Sequence, residues 1–170
     1  MPLTLSKAAI PQLERTLRNL PSIIGKAEAH AQARKIEPEA LLTMRLYPDM
    51  FPLTRQVQTA TDFAKAIVFR LTGRDPPQWE NSEKSFAELK QRIERTLSLL
   101  ASTDVAAIDG CEDRQITFSP GGRSMTLKAD DYLFYFAMPN FSFHVTAAYA
   151  ILRHAGVELG KADFIGPLSR

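Results

Sequence analysis

PNFSFHVTAAYAILRHAG, residues 139–156, reads as the second part of a long, nearly all-apolar helix that Gly156 closes. The helix is expected to begin near Asp130 and to bend at Pro139, whose ring and missing N–H disturb a helical ladder. Leu133, Ala137, Asn140, His144, Ala147, Ile151 and Ala155 recur at three- and four-residue steps and share one face. Asn140 and His144 therefore lie one turn apart among apolar neighbours. Such a pair is half of a metal site, the polar part of a ligand pocket, or a satisfied pair inside a core. His154 falls in the last turn, where a cation suits the helix dipole. A helix apolar on all sides is buried on more than one face, which implies a central place in a bundle or a contact between two copies.

Three further helices precede it. Ile10, Leu13, Leu17, Leu20 and Ile24 keep the helical period, with Pro11 in a first turn and Pro21 expected to kink or break the helix before SIIGKAEAHAQARK. A second helix is expected from about Phe51 to Leu71, with Asp49 as its cap and Gly73 as its stop. Its stripe is Leu53, Val57, Ala60, Phe63, Ala64, Ile67 and Leu71, and Gln56 lies at the edge of that stripe. After the loop GRDPPQWENS, Ser85 and Glu88 match a capping box, and Phe86, Leu89, Ile93, Leu97 and Leu100 carry a third helix to about Ala101. RQITFSPGGRSMTLK then alternates apolar and polar residues on both sides of SPGG, the pattern of a short β-hairpin. Gly121-Gly122 reads as the hairpin turn rather than a phosphate loop, because no P-loop lysine or helix follows. The tail VELGKADFIGPLSR reads as irregular, with Phe164 folding back onto the bundle. The fold class is thus all-α: one four-helix bundle over residues 1–170, with a hairpin between helices three and four.

Composition narrows the function classes. A chain of 170 residues suits one domain with a substantial core. The formal net charge of +2, without Lys/Arg runs interleaved with aromatics, argues against a nucleic-acid partner. No apolar run approaches the length that spans a bilayer, and the N-terminal residues lack a signal-peptide pattern, so the cytoplasm is the default compartment. The single cysteine, Cys111, excludes an internal disulfide and a Cys-rich zinc site, and the acids around it in DGCEDR are expected to raise its thiol pKa.

The polar residues offer no catalytic motif. There is no nucleophile elbow and no carboxylate pair on an apolar face, so no catalytic residue is assigned. A three-histidine metal site is disfavoured, because His30 lies in a solvated stretch and His154 at a helix end. Asn140 must be paired if buried, with a water, a substrate group or backbone freed by Pro139. Arg45, Tyr47 and Asp49 cluster in RLYPDMFP, either as a proline-defined loop with an Arg–Asp pair or as the rim of a pocket at the end of the bundle. Trp79 reads as a lid over the core or a binding platform.

RLYPDMFPLTRQVQTATDFAK, EDRQITF, GGRSMT and MPNFSFHVTAAYAILRHAGVELGKADFIG resemble the family called domain of unknown function 1993. The likeness runs from about Leu5 to Gly166. That family is similar to the DinB/YfiT-like superfamily of bacterial four-helix bundles, many of them metal-dependent and some of them thiol-linked transferases or isomerases. The superfamily's metal site has one histidine on helix two and two more, four residues apart, on helix four. The resemblance puts His144 on the second helix-four histidine, Asn140 on the first, and Gln56 on or near the helix-two histidine. Two of three ligands are then neutral amides. The expectation is a ligand pocket at Gln56, Asn140 and His144, rimmed by Arg45 and Asp49, with no metal and no cofactor. A metal-dependent transferase or isomerase, and a non-catalytic homodimeric interaction module, are the alternatives.

Overall fold

The computed structural model describes residues 3–167. Residues 1–2 and 168–170, the ends of the expected single domain and of its tail, lie outside the described residues. In chain order the elements are α1 (Leu5–Arg34), α2 (Pro38–Leu42), α3 (Leu53–Leu71), α4 (Phe86–Ala101), β1 (Gln115–Phe118), β2 (Met125–Lys128), α5 (Ala129–Asp131), α6 (Met138–His154) and α7 (Lys161–Ile165). A π-helical turn, Tyr132–Ala137, joins α5 to α6 into one continuous rod.

The bundle consists of α1, α3, α4 and the α5–α6 rod, with α3 packed on α6 and on α4, and α1 on α4 and α6. The stripes that fix this packing are buried as their spacing requires: Leu13, Leu17 and Ile24 on α1, Leu53, Val57 and Ile67 on α3, and Leu89 and Ile93 on α4 are each at most 1% exposed. The hairpin sits between α4 and α5, with Ile116 opposite Leu127 in an antiparallel ladder. Phe118 turns inward against Tyr132. No helix of the described residues is long and apolar enough to cross a membrane.

Several local expectations are corrected. Pro21 does not break α1, which runs unbroken through both Pro11 and Pro21. Continuous burial of Leu17, Leu20, Ile23 and Ile24 outweighs one missing ladder bond. Asp49 does not cap α3, whose cap is Pro52 with no side-chain bond. Of the capping box, Ser85 accepts from the Glu88 N–H, but Glu88 accepts from the Lys84 N–H rather than from Ser85. The tail is not wholly irregular: α7 docks on α1, Arg15 donates to the Ile165 carbonyl, Lys26 pairs with Asp163 at 2.7 Å, and Phe164 lies edge-on to Tyr149. Cys111 is buried in the core, so its thiol pKa is raised first by burial and less by Glu112 and Asp109.

Candidate functional site

Gln56 and His144 meet in the α3–α6 interface. Gln56 lies in the first turns of α3 and is 1% exposed; His144 lies midway along α6 and is 8% exposed. The Gln56 amide nitrogen donates to the Phe51 carbonyl at 3.1 Å. That fixes the amide orientation and turns Oε1 toward His144 Nδ1 at 2.7 Å. Since a carboxamide oxygen only accepts, the imidazole carries its proton on Nδ1. Burial first, and the charge of Arg55 second, hold the His144 pKa below its ordinary value, so the ring is neutral. Among the described residues, no hydrogen bond uses Nε2 and no buried side-chain nitrogen or oxygen lacks a partner, so Nε2 reaches solvent with its lone pair free.

Aromatic rings surround that imidazole. Phe63 and Phe51 lie nearly parallel to it at 5.8 and 6.1 Å, and Phe143 stands edge-on at 5.3 Å. Phe51 and Phe143 are themselves exposed, which makes the mouth of the site apolar.

Asn140 makes no hydrogen bond to the pair. It is partly buried, and its amide nitrogen donates to the Phe136 carbonyl at 2.7 Å, four residues back on its own helix. Pro139 has no N–H for the Tyr135 carbonyl, and the turn just before it is the widened π turn. Asn140 thus completes the helix at its irregular point. Arg45 and Asp49 are both exposed; Arg45 donates to the Met50 carbonyl of its own loop, and it forms no ion pair with Asp49. That loop also supplies Phe51, the anchor of Gln56. His154 is exposed in the last turn of α6.

The donor set does not suit a divalent metal. It offers one imidazole and two carboxamides, with the Gln56 oxygen committed to His144 and the Asn140 nitrogen to backbone. Among the described residues, no group of three His, Cys, Asp or Glu side chains is placed to hold a metal ion.

A second polar centre had no counterpart in the expected sites. Arg92 on α4, with a side chain 2% exposed, donates to Thr61, Asp62, Glu83 and the Glu80 carbonyl at 2.7–2.9 Å. Lys65 adds a contact to Asp62 at 2.9 Å. Trp79 covers the cations, with Lys65 and Arg95 about 4.2 and 4.1 Å from its ring centre. Trp79 is therefore a lid over charges rather than over the apolar core. Arg92 directly precedes Ile93 of the α4 stripe, and that position at the edge of an apolar face was the available signal.

The family described as Domain of unknown function (DUF1993) matches residues 5–165. The chain belongs to that family. The DUF1993 chain is also similar to the crystal structure of a DinB family member protein from Shewanella denitrificans, with 40% sequence identity and a TM-score of 0.90 over 98% of this chain and 94% of that one. The DUF1993 fold is accordingly a DinB-like four-helix bundle with a short hairpin before its last long helix. No curated protein matches the chain.

Proposed function

We propose that this DinB-like protein binds a small organic molecule at Gln56 and His144, with no resident divalent metal. The observation that carries the reading is a neutral imidazole, fixed by Gln56 through Nδ1, with Nε2 open beneath an apolar mouth. A ligand that donates one hydrogen bond and presents an apolar body fits that arrangement. Asn140 contributes its free amide oxygen, and Arg45 and Asp49 form the rim. Screening small molecules by thermal shift tests it: hits that stabilise the wild type and lose their effect in His144→Ala are expected. Metal analysis of untagged protein is expected to give far less zinc or nickel than one ion per chain. A full equivalent that His144→Ala removes overturns the reading.

An enzymatic reading draws on the same geometry. A neutral histidine anchored at one nitrogen and free at the other is suited to accept a proton, as in a metal-free transferase or isomerase. Turnover separates the two: hits that the wild type converts and that His144→Gln binds without converting mark an enzyme, whereas hits that the wild type binds without converting mark a binding site.

The homodimer belongs here as well. Phe134, Tyr135 and Phe143 of the last long helix are 46%, 80% and 55% exposed, a surface suited to a second copy. Light scattering at high protein concentration is expected to give a dimer, and a monomer there overturns the idea. A cytoplasmic setting without nucleic acid is part of the same reading.

A further inference from the structure

Phe63, whose ring lies against His144, also lines a separate cleft of about 330 Å³. That volume is in the range of small-molecule sites. α3 forms the floor of the cleft, the loop carrying Trp79 one side, and the hairpin end with Phe118 another. Its charges are unbalanced. Arg55, Lys65 and Arg70 line it, against one carboxylate, Asp62. Asp62 is already engaged by Arg92 at 2.8 Å and by Lys65 at 2.9 Å. Neither Arg55 nor Arg70 forms an ion pair among the described residues.

Arg70 is held in place without being neutralised. Its guanidinium donates to the Tyr132 hydroxyl at 3.0 Å and lies 5.2 Å from the centre of the Phe118 ring. Phe136 lies 4.7 Å from Phe118 and 5.9 Å from Phe63, so the charge sits at the end of a row of aromatic walls. A fixed, uncompensated guanidinium recognises a carboxylate, sulfonate or phosphate, and the neighbouring rings recognise a flat apolar body. We propose that this cleft is a binding site for a small aromatic anion, its acidic group on Arg70 and its ring against Phe118 and Phe136. Arg55 and Lys65 raise the positive potential along the cleft. The proposal does not rest on the reading at His144, although Phe63 touches both places.

Trp79 is the only tryptophan of the chain and lines the cleft, so its fluorescence reports occupancy. Phenyl phosphate, benzoate, benzenesulfonate and, as the neutral control, benzyl alcohol are titrated into the full chain. At least one anion is expected to give a saturable change with a millimolar or tighter Kd that weakens with added sodium chloride. Benzyl alcohol is expected to bind about tenfold more weakly, and Arg70→Gln to weaken the anion by about the same factor. Response to phenyl phosphate alone assigns a phosphate monoester, and response to all three anions assigns aromatic acids in general. Equal binding of benzyl alcohol, salt-independent binding, no saturable response to any anion, or an unchanged Kd in Arg70→Gln each overturn the proposal. The comparison of anion and alcohol in the wild type holds whether or not the Arg70 variant folds.

Discussion

His144 is neutral in the folded chain and free to take a proton in the unfolded one, and that difference is measurable as a pH dependence of stability. Burial, and then Arg55, hold its folded pKa below 6.5. Below that pH the unfolded chain gains a proton that the folded chain refuses, so acid favours unfolding. The contribution is fully present above 6.5 and declines as the pH falls from there toward the folded pKa. The slope for one such group reaches at most about 1.4 kcal/mol per pH unit. Urea unfolding followed by circular dichroism, at steps from neutral pH down to about 5, keeps most carboxylate titration out of the window. The wild type is expected to lose stability across it, and His144→Leu to lose much less. Gln56→Glu is the sharper variant. It puts a carboxylate opposite Nδ1, where Oε1 now sits at 2.7 Å, and so favours the imidazolium. Its slope should flatten or invert. If His144→Leu keeps the full wild-type slope, the buried neutral imidazole is not its source and the description of the site is refuted.

Three further outcomes follow from the packing. Arg92→Met strips a partner from Asp62 and Glu83; the loss should be about 2–3 kcal/mol, below the usual range for a broken buried pair because Lys65 still holds Asp62 and Gln58 still holds Glu83. A fall in Tm of about 4–12 °C on calorimetry checks it. Burial raises the Glu83 pKa, but hydrogen bonds led by Arg92 bring it below 4.5, so stability present above 4.5 is lost in acid and the gap between wild type and Arg92→Met should narrow there. Asn140→Ala removes one bond to the Phe136 carbonyl and should cost about 1 kcal/mol in urea unfolding; a neutral result would show that water serves that carbonyl equally well. Cys111, buried with a raised thiol pKa, should react with a thiol-specific disulfide reagent only slowly in native protein and promptly in urea; fast native labelling would contradict its burial.

The candidate site was only half legible. The spacing of Asn140 and His144 placed both toward the inside of one helix, and His144 is indeed buried there. Gln56 stood at the edge of the α3 stripe, a position that reads as solvated, yet it is 1% exposed. α3 is covered by α6 on one side and α4 on another, so its apolar stripe understates the buried surface. The same cover buries Thr61 and Lys65. The Arg92 network joins side chains from α3, α4 and the loop between them, separated by up to 31 positions, and no local period can announce such a meeting.

The sequence by itself determined the helical stripes, the hairpin and the stop at Gly156, because each rests on contacts between residues a few positions apart. It also determined that His144 faces inward, since the period of a helix assigns faces without reference to its neighbours. Tertiary structure alone decided that α1 passes unbroken through Pro21, because burial of the flanking leucines and isoleucines outweighs the local penalty. It alone decided which nitrogen of His144 is free, because that depends on Gln56, 88 residues away in the chain. It alone left Arg70 without a carboxylate partner among the described residues, because charge balance in a cleft is settled by whichever side chains the bundle brings to its walls.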